Sequence, residues 1–213
     1  MTPDIDQYIL DHISPEPQQL RELYRHTHLH RLYPRMCSGH LQGRILKMLT
    51  AMVSPKRVIE LGTYTGYSAL CIAEALAADA ELHTVEIDDE WADEIRATFD
   101  ASPFGDRITL HIGDALSLIP VIGGEWDMAY IDANKRNYIE YLDALMPRMI
   151  PGGFIIADNT LWDGKVADTA TSHDAQTMAL ARFNDYVARH PGLETVILPI
   201  RDGLTIMRVI SKQ

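Results

Sequence analysis

Cysteine is scarce: the 213 residues hold only two, Cys37 and Cys71, with no C-x-x-C spacing. A disulfide framework and a cysteine-built zinc site are thereby excluded, and a reducing cytoplasm is the expected setting. Long apolar runs are missing too, and none approaches the roughly 20 residues that a membrane span needs. Basic residues are outnumbered, 19 against 30 acidic ones, for a net charge of −11, which weighs against broad binding of a phosphate backbone. Residues 1–6, MTPDID, are acidic where a secretory signal is basic and then apolar. Repeats, low-complexity tracts and long linkers are likewise lacking. What remains, 46% hydrophobic and 23% charged, is an ordinary globular composition. The length suits one α/β domain spanning 1–213, with a helical segment at 1–52 and an α/β core at 53–213.

Residues 4–12, 16–30 and 38–52 read as helices, punctuated by Pro15, Pro17 and Pro34. The texture then changes. Strands are expected at 57–61, 81–86, 108–112, 128–131 and 153–157, with helices near 66–77, 90–99 and 137–149. Such alternation predicts a mostly parallel sheet with helices on both faces. A long helix near 173–189 follows, and then two β runs, 195–198 and 204–209. Asp202-Gly203 between them favours a tight reversal, so this last pair is expected to be antiparallel and at the sheet edge.

In open sheets of this kind, ligands sit beyond the carboxyl ends of the strands. The first strand runs into Gly62-Thr63-Tyr64-Thr65-Gly66, where the two glycines permit a sharp turn and close approach to a ligand. Its G-x-x-x-G spacing is neither the G-x-G-x-x-G of dinucleotide folds nor a P-loop. The second strand ends in Glu86, an acid suited to accepting hydrogen bonds from both ribose hydroxyls of a nucleoside. The third ends in Gly113-Asp114-Ala115, whose small residues leave room for a flat base. Together these strand ends point to an adenosyl ligand without a phosphate chain.

The fourth and fifth strands end in Asp132 and in Asp158-Asn159. If those strands are neighbours, two carboxylates and an amide converge. An oxygen-only donor set of this kind suits Mg²⁺ first, with Mn²⁺ or Ca²⁺ as alternatives. The bland alternative is that Asp158-Asn159 only caps a loop.

Four stretches, V-I-E-L-G-T-x-T-G-Y-S from Val58, the acid at Glu86, I-D-A-x-K-x-x-Y from Ile131 and A-D-N-x-L-W from Ala157, carry a resemblance. The chain resembles the cation-dependent O-methyltransferases, the catechol and caffeoyl-CoA O-methyltransferase family. The match runs from Met36 to Trp162 and more weakly through Arg182-Phe183-Asn184 to the end. The resemblance implies a Rossmann-like class I S-adenosylmethionine-dependent methyltransferase fold, with a seven-stranded, mostly parallel sheet, an antiparallel last strand and extra N-terminal helices. It implies that Glu60, Tyr64 and Ser68 line the methionine part of the cofactor, with Gly62 in the turn and Asp132 beside it. Glu86 takes the ribose, and Asp114 and Ala115 the adenine. Asp132, Asp158 and Asn159 bind the cation, Lys135 matches the general base, and Met36 and Ser38 touch cofactor and substrate. Asn159, Trp162 and the loop at 164–172 resemble the substrate region. Relatives are commonly homodimers.

The implied activity is transfer of a methyl group to a hydroxyl of a small catechol-like or phenylpropanoid aromatic. Either Lys135 or a hydroxide on the cation would take the proton. The alternative acceptor is a hydroxyuridine in tRNA, for which Lys47, Lys56, Arg57 and Arg136 would supply a local basic patch. A nicotinamide-dependent oxidoreductase and a non-catalytic scaffold fit the motifs less well. His26, His28 and His30 alternate, which does not put three rings on one helix face, and read as surface residues. Cys71 reads as core.

Overall fold

The computed structural model describes residues 4–169 and 174–211. Residues 1–3 of the acidic start, residues 170–172 of the expected substrate loop and the expected helix start at His173 lie outside the described residues. Three helices come first: α1 (Ile5–His12), α2 (Gln18–His30) and α3 (Gly39–Val53). Asp4 caps α1 by accepting from the backbone N–H groups of Asp6 and Gln7. The core then alternates β1 (Arg57–Leu61), α4 (Tyr67–Ala73), β2 (Glu81–Glu86), α5 (Ala92–Asp100), β3 (Ile108–Ile112), α6 (Ala115–Ile122), β4 (Trp126–Ile131), α7 (Tyr138–Leu145) and β5 (Met149–Asp158). It closes with α8 (Ala175–Arg189), β6 (Leu193–Leu198) and β7 (Leu204–Val209).

One seven-stranded sheet results, in the order β3-β2-β1-β4-β5-β7-β6. The strands β1 to β5 pair in parallel, while β7 is antiparallel to both β5 and β6. This is the predicted architecture, with the antiparallel β6–β7 pair at one edge and β6 outermost. Helices cover both faces. On one, Ile59, Leu61, Ala129, Ile131, Ile155 and Ala157 pack under α6, α7 and α8, where Ile119, Tyr138 and Phe183 are buried. On the other, Val58, Met128, Tyr130 and Ile156 meet Leu23, Leu46 and Leu70 of α2, α3 and α4.

Strand alternation decides which polar side chains share a side of the sheet, because residues two apart point to one face. Glu60, Tyr130 and Asp158 fall on the α3 side by this parity. Asp132 continues it, since its N–H donates to Leu61 O at 2.8 Å and extends the ladder by one residue. Leu61, Ile131 and Ala157 stand abreast across β1, β4 and β5. Asp132 and Asp158 are therefore level at the ends of neighbouring strands, which lie about 4.8 Å apart.

Two details differ from expectation. Helix α6 was not anticipated, because Pro120 lies inside it and Ile119, Val121 and Ile122 are poor helix signals. Asp114 starts it nonetheless, accepting from the N–H of Ser117 at 2.9 Å. Strand β5 begins at Met149 rather than at the expected 153, so Pro151-Gly152 lies within the strand and the expected helix ends earlier, at Leu145. Among the described residues no helix is long and apolar enough to cross a membrane.

Candidate active site

A cleft of about 710 Å³ opens over the carboxyl ends of β1 to β5. Its floor is the turn after β1. Gly62 has φ +100, and a Cβ there would stand 2.3 Å from the carbonyl oxygen of Asp132. Gly66 has φ +85, and a Cβ would press on the Phe99 ring at 2.5 Å. Only glycine lets the chain turn here while packing against both neighbours. Tyr64, between them, also takes a left-handed φ of +52.

Glu86 organises the cofactor end. One oxygen accepts from the Tyr64 N–H at 2.7 Å; the other accepts from the N–H groups of Ile87 at 2.9 Å and Asp88 at 3.0 Å. The carboxylate is thus oriented by backbone donors at the cleft wall. Asp114 also faces the cleft, with its Oδ2 committed to Ser117, and Ala115 is buried beside it. Arg31 of the opposite wall stacks 3.5 Å over the Trp91 ring and pairs with Glu94 at 2.8 Å. Behind the wall, Glu60 is fully buried and accepts from the Thr84 hydroxyl at 2.5 Å. Burial pushes the Glu60 carboxyl up to about 8, against hydrogen bonds from Ser68 and Thr84 that pull it down.

The other end is built around Asp132 and Asp158. Asp158 is 4% exposed. Its Oδ2 accepts from the Tyr130 hydroxyl at 3.0 Å and from the Gln42 amide, and its Oδ1 from the Asn159 N–H at 2.7 Å. The Tyr138 hydroxyl reaches Asp158 O at 3.0 Å and Ile131 O at 3.3 Å, tying β4 to β5. Lys135 Nζ donates to Asp132 Oδ1 at 2.6 Å. Burial pushes the Asp132 carboxyl up to about 6; Lys135 opposes this, the Asp158 charge adds to it, and Arg201 opposes it. Asn159, at a left-handed φ of +58, lines the same cleft as both aspartates. Two carboxylates and an amide form the oxygen-only set that a hard divalent cation takes. Among the described residues no trio of His, Cys, Asp or Glu gathers; the amide residue Asn159 lines the cleft beside the two aspartates.

Of the residues singled out in sequence, Met36, Ser38, Gly62, Tyr64 and Ser68 line the cleft, as do Glu86, Asp114, Ala115, Asp132, Asp158 and Asn159. Three others stand off it. Glu60 lies one layer behind, Lys135 is bound to Asp132 at the margin, and Trp162 packs against the α8-side core with a hydrogen bond to Asp174. His26 pairs with His30, while His28 bonds Tyr24 O on another side. Gln42, Tyr130 and Arg201 were missed. A polar Gln42 on the buried Gln42–Leu46–Thr50 stripe of α3 was the available signal.

A family profile described as O-methyltransferase matches residues 10–210. A caffeoyl-CoA O-methyltransferase of Stellaria longipes is 31% identical over 216 residues, covering 96% of this chain and 89% of the relative. The crystal structure of the O-methyltransferase TomG from Streptomyces achromogenes, involved in tomaymycin synthesis and in complex with SAM, gives a TM-score of 0.90 at 25% identity, over 97% of this chain and 96% of that one. An O-methyltransferase from Bacillus cereus in complex with SAH gives 0.89 at 28% identity, over 96% of each.

Proposed function

The chain belongs to the O-methyltransferase family, and from that footing we propose that it transfers the methyl group of S-adenosylmethionine to a hydroxyl of a small aromatic with adjacent hydroxyls, aided by a divalent cation. One observation carries the reading. Asp132 and Asp158 end neighbouring parallel strands at one level and on one face, and with Asn159 they open on the same cleft as Gly62 and Glu86.

S-adenosylmethionine supplies a methyl group on a positively charged sulfur, already a good electrophile, so the protein has mainly to align an oxygen nucleophile. A free phenol, with a pKa of about 10, is a poor one at neutral pH. Asp132, Asp158 and Asn159 would hold the cation, which would supply Lewis acidity at the acceptor hydroxyl. Alignment of this kind contributes as much as about 7–11 kcal/mol to lowering a barrier. Glu86 orients the ribose, Gly62 lets the ligand approach the β1 turn, and Ser68 with Glu60 behind it receives the amino-acid end. Lys135, whose Nζ stands at Asp132, would accept the proton of the acceptor hydroxyl after giving up one ammonium proton to solvent.

Three of the four basic residues considered for tRNA are paired instead: Lys47 with Glu74 at 2.6 Å, Lys56 with Asp79, and Arg57 with Glu81. That leaves the small-molecule acceptor as the favoured one. The same proposal takes residues 1–213 as one methyltransferase domain in the cytoplasm that pairs with a second copy. Exposed Leu29, Leu32 and Met52 on and beside the N-terminal helices support the pairing. The deciding experiment is a methyl-transfer screen over catechols, caffeoyl esters and bulk tRNA, with and without EDTA. Chelator-sensitive methylation of a vicinal diol is expected. Activity on tRNA alone, or activity indifferent to EDTA, would refute the reading.

A further inference from the structure

The turn between β6 and β7 touches both sides of the aspartate pair. From it, the carbonyls of Asp202 and Gly203 accept from the N–H groups of Leu161 at 2.7 Å, Trp162 at 3.0 Å and Thr160 at 3.2 Å, fixing the loop just after Asp158-Asn159. Arg201, at a left-handed φ of +49, points the other way. Its Nη1 donates to the Ser38 carbonyl, to Gln42 Oε1 at 3.0 Å and to Cys37 O at 3.4 Å. Its Nη2 lies 3.5 Å from both Arg35 O and Cys37 O. The cleft wall at 35–38 and the start of α3 are therefore held to this turn by one side chain.

Gln42 turns that anchor into a relay. A guanidinium only donates and a carboxylate only accepts, so the amide has a single orientation that serves both. Its oxygen faces Arg201, and its nitrogen donates to Asp158 Oδ2 and to the Tyr130 hydroxyl at 3.0 Å. A leucine at 42 would leave Asp158 short of a donor; a glutamate would set two carboxylates against each other.

We propose that Arg201 is a positioning residue, which acts through Gln42 to hold the Asp158 carboxylate in place for a cation and which fixes the wall at 35–38. The cation part of this rests on the function proposed above. Electrostatics alone gives the opposite sign. A guanidinium beside Asp132 repels a cation, so a purely electrostatic Arg201 would weaken cation binding, and its removal would tighten it.

The test is Mn²⁺ binding to the full chain without cofactor or acceptor, read from the paramagnetic resonance of free Mn²⁺. Arg201→Met is expected to weaken binding about tenfold, the scale for losing a residue that orients a metal ligand. Arg201→Lys, which keeps the charge but not the planar fork, is expected to weaken it as well and serves if the Met protein does not fold. Gln42→Met and the double variant complete a cycle, in which the double loss should match the larger single loss rather than their product. Unchanged or tighter binding in both Arg201 variants overturns the relay, as does a multiplicative double. Wild-type protein that binds no Mn²⁺ sinks the cation reading instead. Hydrogen exchange at 35–42 then judges Arg201 separately: faster exchange in Arg201→Met supports its hold on the wall, and unchanged exchange removes it.

Discussion

At the cofactor end of the cleft, Glu86 is held by backbone donors from Tyr64, 22 residues away, and from its immediate successors Ile87 and Asp88. At the acceptor end, Asp158 is held by Gln42, 116 residues away, and that amide is held by Arg201, 159 residues from it. The first arrangement depends on the local path of the chain, so few side-chain substitutions disturb it. The second depends on side chains brought together by the finished fold, so single substitutions should propagate through it. A local site is robust and readable; a relayed site is tunable and hidden.

The largest effect tests whether the acceptor end is a cation site at all. Asp132→Ala should lower kcat/KM by roughly three orders of magnitude, as loss of several kcal/mol of charge stabilisation implies, and should abolish the response to EDTA. Initial rates with and without chelator would show it. A variant keeping near-native, chelator-insensitive turnover would reduce the two ends to one. Next comes the residue where the ends touch. Gly62→Ala meets the Asp132 carbonyl and a positive φ, so chemical denaturation should show a loss of about 2–3 kcal/mol, with both cofactor and cation binding impaired. A loss confined to cofactor affinity would show that the ends are mechanically separate.

A smaller effect sharpens the comparison from the other side. Glu86→Gln keeps the shape but removes the charge, and calorimetry should find S-adenosylmethionine bound about tenfold more weakly, the worth of a charge-assisted hydrogen bond. Mn²⁺ affinity should stay put. The smallest concerns pH. Glu60 has a folded pKa raised to about 8, so between its unfolded value and 8 the native state keeps a proton that the unfolded chain has lost. Its stabilisation is complete below the unfolded pKa and is lost as pH rises through 8. Wild type should therefore lose about 1 kcal/mol relative to Glu60→Gln from pH 6 to pH 7. A pH-independent difference would mean that Glu60 is ionised in the fold.

The same division separates what was legible in the sequence from what was not. Short β-rich runs alternating with helical stretches, and glycines after two of them, located β1, β2 and β3 and the residues after them, because strand, turn and ligand-facing acid are consecutive there. Asp132, Asp158 and Asn159 were legible as strand-end acids and an amide, their adjacency resting on the β4–β5 pairing that the alternating pattern implied. Helix α6 was not, since Pro120 argues against the helix that Asp114 nevertheless caps. Nor was the relay. Nothing near Arg201 in the chain marks it, because every partner of its guanidinium lies on the far N-terminal segment. Lys135 and Trp162 were singled out by the family resemblance, but a motif match does not tell whether a side chain points into a cleft or packs beside it.

The most direct measurement is anomalous diffraction at the manganese edge from crystals grown with S-adenosylhomocysteine and Mn²⁺. The account predicts one strong peak with oxygens of Asp132, Asp158 and Asn159 as ligands at about 2.0–2.6 Å. Crystals with the nucleoside bound in the cleft and no manganese at these three residues would contradict it.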